Sequence, residues 1–268
     1  MSGLVAGLPM YEFPWTAPAL DAVWGWIGAF LRDRGVAAPA SLTRDLPLQT
    51  LWRHPGLVLG QTCGYPYRHG LADVVELAAT PVYAFDGCEG ANHCSFLVVR
   101  ADDPRRDLAD FRGSRAAINA RDSNTGMNLF RAALAPLAHG APFFAEVAIT
   151  GAHAASLAAV AAGTSDIAAI DCVTFGLLAK GRPELVAGVR VLACSPSSPG
   201  LPFIASAALP AEQRALVREA LFAALEAPAL SEAWRALGVV GAEVLGPGAY
   251  GRIDELEAAA GLGYVELA

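Results

Sequence analysis

Short apolar runs alternate along this chain with longer segments in which apolar residues recur at helical spacing. That alternation predicts an α/β fold. Leu20, Trp24, Ile27 and Leu31 share one helical face, and Gly35 stands where a left-handed cap would end the helix. Strands are predicted at "GLVAGLPMY", "PGLVLGQT", "CSFLVVR", "SRAAINA", "FFAEVAIT", "SDIAAID" and "GVRVLACS". The strand "LADVVELAATPVYA" carries Pro81 and is expected to break there. Met127, Phe130, Leu134 and Leu137 mark one face of a further helix, which Pro136 should kink or end. "GAHAASLAAVAAG" and "CVTFGLLAKG" read as helices, the second closed by Gly181. After the Pro-rich crossing "PSSPGLPFIAS" the pattern reads as helical to the end, with Ser231 placed to cap "SEAWRAL".

Two irregular crossings, at residues 81–95 and 193–203, bracket a central α/β block. The expected organisation is one discontinuous lobe, 1–84 plus 197–268, and a second lobe, 85–196. A ligand cleft between lobes that close about two hinge crossings follows from that layout. Neither an internal repeat nor a low-complexity segment is evident.

Composition narrows the function. The 268 residues are 54% hydrophobic and 17% charged, with a formal net charge of −7. That describes a globular chain with a large core. It argues against nucleic-acid binding, which needs a basic face. GxSxG, HExxH, Walker A and GxGxxG motifs are absent, so no enzyme class is indicated. The histidines His54, His69, His93, His139 and His153 are scattered, although a Cys–His pair such as Cys94 beside His93 stays open. The five cysteines show no CxxC and no zinc spacing, so neither a metal nor a cofactor is expected. Buried thiols, or a Cys63–Cys88 or Cys63–Cys94 bridge, are the two readings of them. No window is apolar for long enough to span a bilayer, and membrane insertion is not expected. The start "MSGLVAGLPMYEFPW" lacks a basic leader region. A cytoplasmic location is expected if the chain is complete as given, a periplasmic one if a leader has been removed. The chain is expected to be a monomer.

One stretch concentrates polar chemistry without charge: "RAAINARDSNTGMNLF". A strand ends, small hydroxyl and amide residues follow, and a helix opens. The first turn of a helix presents unpaired N–H groups and the positive end of its dipole. An oxyanion at such an elbow needs no lysine. Ser123 and Thr125 add hydroxyls, Asn124 adds an amide, and Gly126 removes a side chain where a ligand would approach. The competing reading is that Asp122 or Ser123 merely caps the helix. His153 opens a second strand-to-helix elbow and can donate to an anion or serve the structure. Asp171 ends a strand before a helix, as either ligand acceptor or cap. Tyr11 follows the first strand and can pack on a ligand's organic part.

Together, "LPMYEFPW", "LGQTCGYP", "LADFRGSRAAIN", "DSNTGMN", "TGAHAASLAAVAAGTSDIAAID" and "SPGLPFI" resemble, in order and spacing, the phosphate/phosphite/phosphonate substrate-binding proteins of ABC transporters. These are the PhnD-like branch of the type 2 periplasmic-binding-protein fold. The resemblance implies a two-lobed α/β fold and capture of a small oxyanion for uptake through an ABC permease. It implies that the Ser123, Asn124, Thr125 and Gly126 elbow meets phosphonate oxygens. It also implies that Gln61, Thr62 and Tyr65 face the ligand, that Ser95 presents a hydroxyl from the hinge, and that His153 makes contact. A cytoplasmic enzyme or ligand sensor reusing the fold is the alternative.

Overall fold

In a computed structural model, residues 3–137 and 142–262 are described. His139 lies outside them. The chain forms two compact units. The first holds residues up to Ala84 together with Gly200–Ala249, and the second holds Phe85–Pro199 together with the segment from Tyr250 onward.

On its first pass the chain lays down β1 (Val5–Gly7), α1 (Ala17–Asp33), α2 (Leu48–Trp52), β2 (Leu57–Gln61), the single turn α3 (Gly64–Pro66) and β3 (Val75–Tyr83). The second unit follows with the hairpin β4 (Cys88–Glu89) and β5 (Asn92–His93), then β6 (Ser95–Arg100) and β7 (Arg115–Ile118). Next come α4 (Leu129–Leu134), β8 (Glu146–Ile149), α5 (His153–Ala161), β9 (Ile167–Asp171), α6 (Cys172–Gly181), α7 (Pro183–Ala187), β10 (Val189–Cys194) and β11 (Ser198–Pro199). The return adds β12 (Phe203–Ser206), α8 (Ala211–Glu226), α9 (Ser231–Leu237) and β13 (Val239–Glu243) to the first unit, and α10 (Gly251–Leu262) to the second.

The first unit's sheet runs β1-β2-β12-β3-β13, with β1 and β2 parallel. The apolar stripe read from the sequence is the one α1 buries. Leu20, Trp24, Ile27 and Leu31 join Val217 and Leu221 of α8 and Trp234 of α9 in one core cluster. Each such side chain withdrawn from water contributes about 1.5–3 kcal/mol before entropy is charged. Gly35 takes φ +76° and its N–H reaches Arg32 O, which gives α1 the expected left-handed stop.

The second unit's sheet runs β10-β6-β9-β7-β8. Strands β7, β8 and β9 are parallel, so β7 and β9 end at the same edge, at Ile118 and Asp171. Antiparallel β6 sets Ser95 directly opposite Asp171, and the small sheet β11-β5-β4 sets Ser198 opposite His93. These registers gather four polar residues from distant parts of the chain.

Several expectations change. Pro81 does not break β3, because β12 pairs with β3 only from Val75 to Ala79. At Pro81 the only partner strand is β13, so a missing donor is tolerated there as on an edge. The Pro-rich crossing contains β11 and β12, and the supposedly all-helical remainder contains β13. Val240 on that edge strand is 66% exposed, so β13 lacks the buried apolar signature of a strand. Ser231 is the first helical residue rather than the cap, and no side chain caps α9. Most consequentially, the chain crosses between units a third time after Ala249, placing α10 in the second unit rather than with 197–268 in the first. The cause is contact chemistry. Leu256 of α10 clusters with Leu129 and Ala132 of α4, and Asn128 Nδ2 donates to Ile253 O at 3.2 Å.

Ile253 is fully buried. Ile253→Ala should cost about 2–5 kcal/mol. Hydrogen exchange should show the loss in the amides of α4 and α10, not in α1. Faster exchange in α1 alone would contradict the assignment of α10.

Candidate functional site

The polar elbow is built from hydrogen bonds that shape it. Ser123, in extended conformation after β7, accepts from Gly126 N–H at 2.9 Å through its own Oγ. Residues Asn124–Asn128 form a π-helical turn that runs into α4. Asn124 Nδ2 donates to Ser198 Oγ at 2.8 Å, and Asn124 Oδ1 accepts from Asn128 at 3.1 Å. Ser95 Oγ donates to Thr125 O at 2.7 Å, while Ser95 N–H donates to Ser195 Oγ at 2.9 Å. The Ser123 hydroxyl, the Asn124 amide and the Ser95 hydroxyl are therefore engaged inside the protein. They fix the elbow.

Two groups at the elbow are differently placed. Thr125 is only 2% exposed, yet its backbone N–H meets no acceptor among the described residues. Its Oγ1 lies 3.0 Å from His153 Nε2. With the proton on Nε2, the ring donates to Thr125 Oγ1 and leaves that hydroxyl's own proton available. Gly126 serves a different neighbour than expected. A Cβ there would meet Asn119 Oδ1 at 1.7 Å, so the missing side chain makes room for Asn119. Asn119 Oδ1 is buried without a hydrogen-bond donor. Asn119 directly follows β7, and the strand-end rule that singled out Asp171 also points to it.

Asp171 does both structural jobs open to it. Oδ1 accepts from Thr174 N–H at 2.7 Å, capping α6, and Oδ2 lies 3.1 Å from His93 Nδ1. Burial pushes this carboxyl upward, but the His93 contact, the field of His153 and the Thr174 amide outweigh it, so Asp171 sits below its ordinary 3.8. Burial pushes His153 below its ordinary 6.5, and the Asp171 charge and the nearby Ala169 carbonyl only partly offset this. His153 is thus the neutral imidazole at neutral pH. Ser156, the hydroxyl of α5's first turn, pairs with Thr150 Oγ1 at 2.6 Å.

The residues expected from the first unit form their own group. Tyr11 is buried in a 3-10 turn, edge-on to Tyr83 with ring centres 5.4 Å apart. Gln61 Nε2 donates to Tyr83 Oη at 3.3 Å and to Leu201 O at 3.2 Å. Thr62 is buried, its N–H donating to Pro202 O, and Tyr65 packs against the His69 ring at 4.1 Å. The apolar cavity beside Tyr11, Gln61 and Tyr83 measures about 20 Å³, room for one water rather than an organic group. None of the five cysteines, Cys63 included, is in a disulfide. Among the described residues no cluster of His, Cys, Asp or Glu is arranged to hold a metal, and no helix is long and apolar enough to cross a membrane.

This fold is that of periplasmic binding proteins. XAC2383 from Xanthomonas citri, solved bound to ATP, matches with a TM-score of 0.74 at 17% identity over 98% of both chains. A binding-protein component of an ABC phosphonate transporter from Pseudomonas aeruginosa matches with a TM-score of 0.75 at 17% identity, over 97% of this chain and 87% of that one. PhnD1 from Prochlorococcus marinus, in complex with methylphosphonate, matches with a TM-score of 0.70 at 14% identity, over 95% and 97%. No curated protein matches the sequence. A family model described as "ABC transporter, phosphonate, periplasmic substrate-binding protein" matches residues 59–247. The chain belongs to that family, whose members are transporter substrate-binding proteins rather than enzymes.

Acid should destabilise the elbow through both titrating groups. The His153 contribution is complete above 6.5 and is lost as pH falls through the lower folded value. That of Asp171 is complete above 3.8 and is lost as pH falls further. The melting temperature should decline between pH 7 and pH 5, and His153→Gln should flatten that decline. Identical slopes for the two proteins would remove His153 from the account.

Proposed function

We propose that this protein captures a small oxyanion of the phosphonate, phosphite or phosphate type and delivers it to an ABC permease. The supporting observation is the unpaired Thr125 N–H in a buried residue at the Ser123–Gly126 elbow, in a chain of the phosphonate-binding family. A buried amide without an acceptor costs about 1–3 kcal/mol, and an oxyanion oxygen removes that cost. The Thr125 hydroxyl is the second donor, oriented by His153. Ser123, Asn124 and Ser95 act by holding the elbow in shape, and Gly126 by admitting Asn119. Tyr11, Gln61, Thr62 and Tyr65 are proposed as contacts to the remainder of the ligand, and Asp171 as the anchor of His93 beneath the site. The site supplies neutral dipoles rather than fixed cations, which suits a solute that must be released again.

Methylphosphonate, phosphite or phosphate at millimolar concentration should raise the melting temperature, since ligand bound only to the native state stabilises it by mass action. Sulfate and acetate serve as comparison anions. Thr125→Val should weaken binding about tenfold or more, the loss of one hydrogen bond to a charged group. Ser123→Ala should instead lower the melting temperature without ligand, through about 0.5–2 kcal/mol of lost capping. If none of the phosphorus oxyanions moves the melting curve, or if Thr125→Val binds as the wild type does, the proposal fails.

A further inference from the structure

The oxyanion reading makes no use of the cysteines, yet four of the five converge within the second unit. Cys88 Sγ and Cys172 Sγ are 3.5 Å apart although 84 residues separate them in sequence. The Cys94 thiol is pushed well above its ordinary value, chiefly by Cys172 and by burial. The backbone at Gly87 presses onto the group. It takes φ +85°, and a Cβ there would meet Cys94 Sγ at 2.9 Å and Cys172 Cβ at 3.0 Å. These residues are not placed to bind a metal. Cys88 is half-buried in the β4–β5 hairpin, while Cys172 opens α6 directly after Asp171. Cys172 also lines an open cavity of about 500 Å³ with Phe85, Asp86, Phe96, Phe175 and Lys180, the chain's only lysine.

We propose that Cys88 and Cys172 are a disulfide-forming pair, oxidised by a small-molecule disulfide that first meets the half-buried Cys88. Bonded sulfurs lie about 2.05 Å apart, about 1.5 Å closer than these two. The sequence suggested Cys63 as the partner of Cys88; the geometry points to Cys172. In the first step the Cys88 thiolate attacks the external disulfide, one external thiolate leaves and is protonated, and a mixed disulfide remains on Cys88. In the second step the Cys172 thiolate attacks Cys88 Sγ and expels the second external thiolate. Two protein thiols become one disulfide, and one external disulfide becomes two thiols, so protons and electrons balance. The contact with Cys88, the largest influence, holds the Cys172 thiol protonated well above its ordinary value, with burial and the neighbouring Asp171 charge adding to it. Each attack needs a thiolate, so closure quickens as pH rises. The family's periplasmic setting is the oxidising kind in which such bonds persist. The bond ties the hairpin carrying His93 to the helix that Asp171 caps.

Folded protein is incubated with oxidised glutathione at pH 7 and pH 9, then alkylated in denaturant, weighed, and digested without reduction. Two of the five thiols should disappear, faster at pH 9, with one Cys88–Cys172 cross-linked peptide. The melting temperature should rise, and dithiothreitol should reverse that rise. Cys88→Ser changes a half-buried position and should abolish both changes. Cys63→Ser with Cys194→Ser should leave both intact. Retention of all five thiols, accumulation of stable glutathione adducts alone, or a cross-link through Cys63, Cys94 or Cys194 would each overturn the proposal.

Discussion

The second unit depends on how one strand is turned into one helix. After β7 the chain must start α4 with its first amides satisfied or offered to something else. Ser123 settles this by accepting from Gly126, while Met127 and Asn128 take the Ser123 carbonyl. Thr125 N–H is what remains. An elbow that leaves one buried donor unpaired is stable only where its surroundings over-determine it, and here they do. Asn119 fills the space over Gly126, and Ser95 fastens the Thr125 carbonyl.

From that turn a polar network spreads through the interior. Asn124 joins Ser198, and Asn128 joins both Asn124 and the carbonyl of Ile253. A buried amide network of this kind is rigid when satisfied and costly when broken. It explains why the last helix crosses back into the second unit. An apolar face formed by Leu256 would bury against many surfaces, but the start of α4 also presents Asn128 Nδ2 as a donor to the Ile253 carbonyl of α10. The helix's position and the elbow's geometry therefore rest on the same residues.

The electrostatics follow the same economy. The segment Ser123–Asn128 carries no cation, so the anion binding proposed for the elbow rests on backbone dipoles and hydroxyls. Asp171, buried in this region, is held locally by its contact with His93 and by the Thr174 amide. His153 stays uncharged, so it orients the Thr125 hydroxyl rather than acting as a fixed cation. These arrangements agree with a family of binding proteins whose work is capture and release.

The sequence by itself determined the parts governed by local rules. The stripe Leu20, Trp24, Ile27 and Leu31, the stop at Gly35, the buried strands and the strand–elbow–helix at Ser123 follow from periodicity, glycine conformation and capping chemistry, each acting within a few residues. Order and spacing of the motifs carried the fold and family. Tertiary structure alone decided what each polar group does. Whether Ser95 faces ligand or a Thr125 carbonyl depends on a strand register, and whether Gly126 makes room for ligand or for Asn119 depends on a side chain seven residues away. Cys172 meets Cys88 because the tertiary fold sets the β4–β5 hairpin against the start of α6. Strand β13 and the destination of α10 were hidden for the same reason. A half-exposed edge strand and a weakly patterned helix carry little local signal, and their places are set by partners distant in sequence.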